Sequence, residues 1–310
     1  MLSVVIIGFG SIGKRHYESC LKNKFITKIY IIENNNKQLK NYDFSIKKKT
    51  IITLKKTVSI TEDIFLTIVA TNSNDRYRVT LNFLRMNICK NIIFEKFLFN
   101  KISEYNYMSI VLKKKKIRAY VNCNRRLSKD YIRIKKVYFN KILGIKIIGS
   151  KWGFLSNSIH FIDLFSFLTD LSKFKLNLET LHIEKIIPSK RKDYLELQST
   201  INIKSNNFFL SISDSKNHNE NKILIYLKNK ILNILETKNL IFSYSTITKK
   251  KYNKTKFSNL YVSFTTNIAI NNILKYNNAG LVSFEESAIH HKFFLRAIKN
   301  KVNIDNLKFT

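Results

Sequence analysis

The sequence predicts a two-domain α/β protein, a parallel sheet with crossover helices followed by a second α+β domain built on a largely antiparallel, open sheet. Three observations carry this prediction. Apolar runs alternate with helical patterns through the first third of the chain, as βαβ units do. From about Asn122 onward the helices thin out and β-like stretches follow one another. A chain of 310 residues, 45% apolar and 13% aromatic, is also long enough to bury more than one core. The predicted boundary separates residues 1–121 from residues 122–310.

In the first domain SVVII reads as a strand and IGKRHYESCLKN as the helix after it. KIYII is the next strand and runs to Glu33. DIFLTIVA, Asp63 to Ala70, precedes the helical DRYRVTLNFLRMN, and NIIF (Asn91 to Phe94) and IRAYV (Ile117 to Val121) add two more strands. Strands apolar throughout suit a sheet covered on both faces. In the second domain IKIIGS leads into a helix around SIHFIDLFSFLTD. YLELQSTINI, FFLSISDS, KILIYL and NLIFSYS then read as strands. The Lys- and Asn-rich stretch from Thr246 to Ser258 reads as a loop, and helical patterns over Tyr261–Tyr276 and Ser283–Asn300 close the chain.

Composition narrows the function classes. Fifty-five basic against 21 acidic residues give a net charge of +34, which suits a polyanion or an anionic surface. The same excess fits codon drift, since Lys, Asn, Ile, Phe and Tyr abound while Gly, Ala and Pro are scarce. The basic runs Lys47–Lys49, Lys113–Lys116 and Lys249–Lys251 are scattered and lie near no zinc-finger, RNP or helix-turn-helix pattern. They read as solvated surface, and nucleic acid is not the expected partner. No run approaches the ~20 apolar residues of a membrane span, and no charged n-region with an apolar h-region opens the chain. Cys20, Cys89 and Cys123 are odd in number, far apart and in no C-x-x-C arrangement, which reads as reduced thiols in the cytoplasm. No His, Cys, Asp and Glu cluster suggests a metal.

Three of the seven glycines fall in GFGSIG, at Gly8, Gly10 and Gly13. They follow a strand and open a helix, the context of a dinucleotide fingerprint. The first glycine permits the turn, the second admits a pyrophosphate, and the third packs helix on strand. The free N–H groups of Ser11, Ile12 and Gly13 then face the phosphates. Glu33 ends the next strand 20 residues after Gly13, where an acid holds a ribose 2′-hydroxyl and repels a 2′-phosphate. NAD is the expected cofactor of this Rossmann domain, with NADP possible because Lys37 is near. A plain strand-to-helix turn is the alternative.

GFGSIGKRH, IVATNS, IIFEKFLF, VNCNRRL, SKWGFLSNSIHFIDLFSFL and LVSFEESAIHHKFFLRAI together resemble the Gfo/Idh/MocA oxidoreductases, in that family's order and over essentially the whole chain. Members that accompany surface-polysaccharide and acidic-sugar pathways are the most similar in feel. The resemblance implies hydride transfer to or from a hydroxyl carbon of a sugar, amino sugar or sugar nucleotide. It also implies a homo-oligomer formed on the open face of the second sheet. It makes Lys96 the proton-transferring residue beside Glu95, with Phe97 where the family has proline. His160 becomes a second catalytic and substrate-binding residue, with Ser156 where an aspartate often stands four residues earlier.

Read from the residues alone, Lys96 follows a parallel strand on the ligand edge of such a sheet, and a surface lysine is the alternative. His160 and Asp163 share one face of an apolar helix, either as a core pair or with His160 at substrate and Asp163 behind it. Thr71 and Asn72 are placed for the nicotinamide ribose, and Asn122 and Trp152 for the pocket. Asn157 and Arg125 are placed for substrate, and Arg125 and Arg126 suit a carboxylate or phosphate. The adjacent His290 and His291 point to different helix faces. Two rival functions stay open: a non-catalytic NAD-binding relative, and a polyanion-binding protein.

Overall fold

The structure, a computed structural model, describes residues 2–40, 42, 44, 49–170, 175–189, 194–216, 218, 220–248, 251–258 and 261–302. Lys47, Lys48, Lys249 and Lys250 of the basic runs lie outside these. In chain order the elements begin β1 (Leu2–Ile7), α1 (Ser11–Leu21), β2 (Ile26–Ile32), α2 (Asn36–Lys40), β3 (Thr50–Leu54) and β4 (Ile64–Val69). Next come α3 (Ser73–Met86), β5 (Cys89–Phe94), α4 (Ile102–Lys114), β6 (Arg118–Val121), α5 (Lys129–Tyr138), β7 (Ile142–Gly149) and α6 (Phe154–Thr169). Then follow β8 (Asn177–Pro188), β9 (Leu195–Ser205), β10 (Phe208–Asp214), β11 (Lys222–Leu227), β12 (Lys230–Leu235), β13 (Leu240–Ser245) and β14 (Lys251–Lys256). The last elements are α7 (Val262–Tyr276), β15 (Val282–Ser283) and α8 (Phe284–Lys299).

The chain divides into two compact units, Met1–Asn124 with Tyr261–Ala288, and Arg125–Leu260 with Ile289–Thr310. The first holds a seven-stranded sheet in the order β15-β6-β5-β4-β1-β2-β3. All its pairings are parallel except β15 with β6. Val4, Ile6, Ile29, Ile31, Leu66, Ile68 and Ile92 are all fully buried, as strands covered on both faces must be. β1 lies between β2 and β4, with Val5 beside Tyr30 on one side and Thr67 on the other. The strand order therefore reverses at β1, where open α/β sheets bind their ligands. Lys49 Nζ donates to Asn23 O at 2.5 Å and Ile26 O at 2.6 Å, closing the chain beyond the carboxyl end of α1.

The observed division differs from the predicted one at α7, which returns to the first unit and packs on α1. Asn267 N donates to Ser19 Oγ at 2.8 Å, and Asn23 Nδ2 donates to Asn267 Oδ1 at 2.6 Å and Asn271 Oδ1 at 3.0 Å. These polar contacts join residues more than two hundred positions apart, so no local pattern announces them.

The second unit is an eight-stranded sheet ordered β14-β13-β12-β11-β7-β10-β9-β8. Only β7 and β10 pair in parallel; the other neighbours are antiparallel. Ile145, Ile147, Ile201, Ile203, Leu210, Ile212, Ile223, Ile225 and Ile234 are buried. The apolar helix α6 packs against β7, β9 and β10. The stretch from Thr246 to Ser258 corrects the sequence reading, because it contains β14 rather than only a loop. KYNKTK lacks apolar alternation, and lysines on an outermost strand keep a sheet edge from pairing further. β8, the other edge, is mostly exposed. Among the described residues no helix is long and apolar enough to cross a membrane.

None of the three cysteines forms a disulfide, and all are buried. Burial pushes the Cys20 thiol up to about 12, against a smaller opposing effect of Lys49, and the Cys89 thiol up to about 11. A thiol-specific disulfide reagent at pH 8 is therefore expected to label neither Cys20 nor Cys89 in the folded protein. Mass spectrometry after denaturant should show all three labelled, and fast native labelling of either residue contradicts this burial.

Candidate functional site

Predicted residues of the first unit collect along one edge of its sheet. Successive strand ends are stitched by backbone hydrogen bonds: Gly8 N to Ile32 O, Ala70 N to Ile7 O, Glu95 N to Val69 O and Asn122 N to Phe94 O, all at 2.8–3.0 Å. The glycine turn, Glu33, Thr71, Asn72, Glu95, Lys96 and Asn122 therefore follow the carboxyl ends of β1, β2, β4, β5 and β6.

The turn itself has the required shape. Gly8 has φ +93°, and a Cβ there would come within 2.9 Å of Thr71 N. A Cβ on Gly13 would fall 2.0 Å from Gly8 O, whereas one on Gly10 would meet no atom within 4 Å. Gly8 and Gly13 are thus fixed by packing, whereas Gly10 faces open space. Phe9 between them is fully buried, with its ring 5.2–5.6 Å from those of Tyr17, Tyr42 and Phe44. At the amino end of α1 Ser11, Ile12 and Gly13 contribute first-turn N–H groups that lack intrahelical acceptors. Glu33 Oε2 accepts from Phe9 N at 2.7 Å and Oε1 from Asn35 N at 2.8 Å, so the acid sits directly against the glycine turn. These residues fit a dinucleotide: a cradle beside Gly10, phosphate donors, and a carboxylate one strand away.

Sequence reasoning missed what holds this edge. His16 on α1 is 1% exposed, and its Nε2 lies 3.0 Å from Glu95 Oε1 and its Nδ1 2.7 Å from Thr266 Oγ1 of α7. Asn122 Nδ2 donates to the same Glu95 oxygen at 2.5 Å. Burial alone would raise the Glu95 carboxyl; the hydrogen bonds and charge of His16, with Asn122 and Arg76, outweigh it and hold the group below the usual range. Buried Arg76 donates to Phe97 O, to Leu98 O at 3.3 Å and to Thr71 O. The Lys96–Phe97 peptide is cis, and the Phe97 ring is fully buried. Arg76 and this ring therefore fix the chain that follows half-buried Lys96. Asn72 Oδ1 caps α3 by accepting from Asp75 N at 3.0 Å.

In the second unit Arg125, Trp152 and Asn157 line one cleft of about 190 Å³ with Phe161, Asn221 and Glu236. Two buried carboxylates hold the backbone of the segment that carries Trp152 and Asn157. Asp214 at the end of β10 accepts from Lys151 N at 2.7 Å and Gly153 N at 3.1 Å. Burial pushes the Asp214 carboxyl up, against the opposing pull of these backbone donors. Glu196 on β9 accepts from Leu155 N at 2.7 Å and Ser156 N at 3.2 Å, capping α6 from across the sheet. A carboxylate thus reaches Ser156 from another strand. Trp152 Nε1 donates to Ser213 O at 3.2 Å, and its ring meets Phe161 edge-on at 5.2 Å. Asn157 Nδ2 donates to Trp152 O at 2.5 Å.

Both arginines are held by carboxylates of the chain, so neither presents a free charge to a substrate carboxylate or phosphate. Arg125 donates to Glu236 Oε1 at 2.9 Å and Oε2 at 2.6 Å, with its guanidinium 4.6 Å over the Phe161 ring. Burial would raise the Glu236 carboxyl, but Arg125 and the Tyr131 hydroxyl bring it below the ordinary range. Arg126 grips Asp163 at 2.8–3.1 Å. Asp163 is 1% exposed, with His290 Nδ1 4.0 Å away. Asp163 is thus a buried structural acid, and His160 stands half-buried on the same helix. Both arginine charges are already met within the chain.

No family model and no curated protein matches the sequence. Solved structures do share the fold. A dehydrogenase (MviM) from Clostridium difficile matches at 16% identity over 97% of this chain and 99% of its own, with a TM-score of 0.71. A UDP-N-acetylglucosamine 3-dehydrogenase, GnnA, from Acidithiobacillus ferrooxidans matches at 10% identity over 96% of both chains, TM-score 0.67. The transcriptional regulator Gal80p from Kluyveromyces lactis matches at 16% identity over 97% of this chain and 90% of its own, TM-score 0.73.

Glu95 and Glu236 both titrate below an unfolded glutamate. Their contribution to stability is complete above the ordinary carboxylate range and lost as pH falls through their lowered folded values. The melting temperature is expected to hold from pH 7 to about pH 5 and to fall below that. Glu236→Gln leaves Arg125 without its counter-charge. Its cost at pH 7 is on the order of 2 kcal/mol, below that of a fully buried pair because each side chain is about one-fifth exposed. The variant's acid slope should be shallower; melting curves of equal slope would show that the pair does not titrate with folding.

Proposed function

We propose that the chain is a nicotinamide-dependent oxidoreductase of the Gfo/Idh/MocA type, acting at a hydroxyl carbon of a sugar, amino sugar or sugar nucleotide. The carrying observation is the glycine turn, where Gly8 and Gly13 are closed by packing, Gly10 is open, and Glu33 lies against it. The fold shared with the two dehydrogenases supports the reading. Gly10 admits a pyrophosphate, the N–H groups of Ser11, Ile12 and Gly13 bind it, and Glu33 accepts from a ribose hydroxyl, favouring NAD over NADP. Thr71 and Asn122 complete that edge. A bound nicotinamide supplies the hydride acceptor or donor.

Lys96 takes the hydroxyl proton as the carbon becomes a carbonyl and returns it in the reverse direction, with His160 as the second proton-handling group. Asn157 and Trp152 hold the sugar. Three buried cysteines that form no disulfide suit the reducing cytoplasm.

One observation favours a second reading, a non-catalytic dinucleotide-binding protein: a transcriptional regulator has the same fold. Phe97 and Ser156 at two family positions point the same way.

The open face of the second sheet supports self-association. There Phe209 lies over Gly144, whose Cβ would run into its ring, and 5.4 Å from Tyr226, with Ile231 and Tyr244 next in register. Tyr226→Lys is expected to lower the sedimentation mass of the protein; an unchanged mass removes this face as the interface.

Titration with NADH at near-physiological salt, read by energy transfer from Trp152, tests the cofactor. Saturable transfer is expected, weaker with NADPH and absent in Gly10→Asp. A flat titration, confirmed by calorimetry, overturns the dehydrogenase reading. Lys96→Met should keep NADH binding and lose turnover by about 10²–10⁴-fold. Binding with no turnover on any sugar by the wild type selects the second reading.

A further inference from the structure

The cleft beside Trp152 has a neighbour. An open basin of about 830 Å³ is lined by Ser150, His218, Glu220, Lys222 and Lys238, and three chain segments line both spaces. Ile148 at the end of β7, Asn221 with Lys222 at the start of β11, and Thr237 after β12 belong to each. The turn Glu236–Lys238 straddles the two, with Glu236 on the inner space and Lys238 on the outer. The two spaces adjoin within the second unit, at the ends of β7 and β11.

The two differ in chemistry. The inner half carries aromatic and aliphatic walls, the amides of Asn157 and Asn221, and the neutralised Arg125–Glu236 pair. Asn221 Oδ1 accepts from Ser150 N at 3.2 Å, which pins that amide to the turn after β7. An aromatic wall with amides and a charge-neutral ion pair suits a ring bearing several hydroxyls, each of which both donates and accepts. The outer half is cationic. Lys238 Nζ and Lys222 Nζ, the latter at 3.6 Å, share the single carboxylate of Glu220, leaving one positive charge unmatched.

We propose that this two-part site takes a phosphorylated sugar, the ring beside Trp152 and Phe161 and the phosphate against Lys222 and Lys238. The proposal rests on the sugar-directed reading above and narrows it to substrates with an anionic extension. A sugar monophosphate and a sugar nucleotide present the same chemistry here, and their relative affinity separates them.

Calorimetry and Trp152 fluorescence on the full chain, without nicotinamide, test it at near-physiological salt. The probes are methyl glucoside, glucose 1-phosphate, UDP-N-acetylglucosamine and inorganic pyrophosphate. The phosphorylated sugars are expected to quench Trp152 and to bind at least tenfold tighter than methyl glucoside. A preference for the nucleotide sugar assigns the outer half to a diphosphate, and equal affinity assigns it to a monophosphate. Lys222→Ala combined with Lys238→Ala should abolish that advantage and the binding of pyrophosphate, with the melting temperature little changed because the two lysines are 39% and 61% exposed. Lys275→Ala, outside the site, controls for net charge and should leave affinities as they are.

Equal affinity for neutral and phosphorylated sugars, no binding of any phosphorylated probe, or an advantage that survives the double substitution overturns the proposal. Because nicotinamide is omitted, these outcomes are independent of the NADH titration. Sugar-phosphate binding without NADH binding refutes only the dehydrogenase reading, and the converse refutes only this site.

Discussion

A carboxylate buried at the end of a strand is costly unless its partners are in place, and Glu95 is such a carboxylate. It accepts from Asn122 at the end of the adjacent strand and pairs with His16 on the helix that opens at the glycine turn. His16 in turn meets Thr266. Four elements, α1, β5, β6 and α7, are therefore interlocked through one oxygen atom of Glu95 and one imidazole. Apolar packing stops at a sheet edge, so polar groups must fix the geometry there. Arg76 does the same for the two loops beside it, where a single guanidinium reaches backbone oxygens of Thr71, Phe97 and Leu98. The edge that would receive a dinucleotide is thus rigid for electrostatic reasons.

The second unit repeats the device with different residues. Asp214 and Glu196 hold successive backbone N–H groups of the segment from Lys151 to Ser156, Glu236 holds Arg125, and Asp163 holds Arg126. In a chain with only 21 acidic residues against 55 basic ones, this placement has a meaning. Surface acids can drift to lysine or asparagine at little cost, since exposed pairs contribute little. An acid that satisfies a buried donor cannot, because its loss leaves that donor orphaned. The high net charge thus belongs to the surface, while the interior keeps its complement of carboxylates.

This also explains how much the sequence discloses. The glycine turn, the parallel strands and α6 follow from local periodicity and spacing, so they are legible within a few residues of chain. The glycine positions in particular carry their own geometry. The network around Glu95 is not legible in this way, because its partners lie 79 and 27 positions away and Thr266 lies 250 from His16. A buried histidine among Tyr17, Ser19 and Cys20 offered a signal only in retrospect of the α1 packing. Arg125 and Arg126 show the opposite error. Adjacent arginines look available to a ligand, and only the fold reveals that Glu236, 111 positions on, and Asp163, 37 positions on, already occupy them. Edge strands β8 and β14 escape notice because exposure removes the apolar alternation by which strands are found.

The pairing of Arg125 with Glu236 changes what the cleft beside Trp152 can select. A free guanidinium there would be a fork for any carboxylate or phosphate. Bound on two nitrogens by Glu236 and laid over Phe161, it offers little net charge, and the pair presents donors and acceptors side by side. Hydroxyl groups need both at close spacing; anions need an excess of donors. The same pairing that stabilises the fold therefore makes this half of the cleft indifferent to charge and receptive to hydroxyls. On the proposal above, recognition of an anion falls to the lysines that share Glu220. Neighbouring residues of one turn, Glu236 and Lys238, thus face different partners, Arg125 and Glu220.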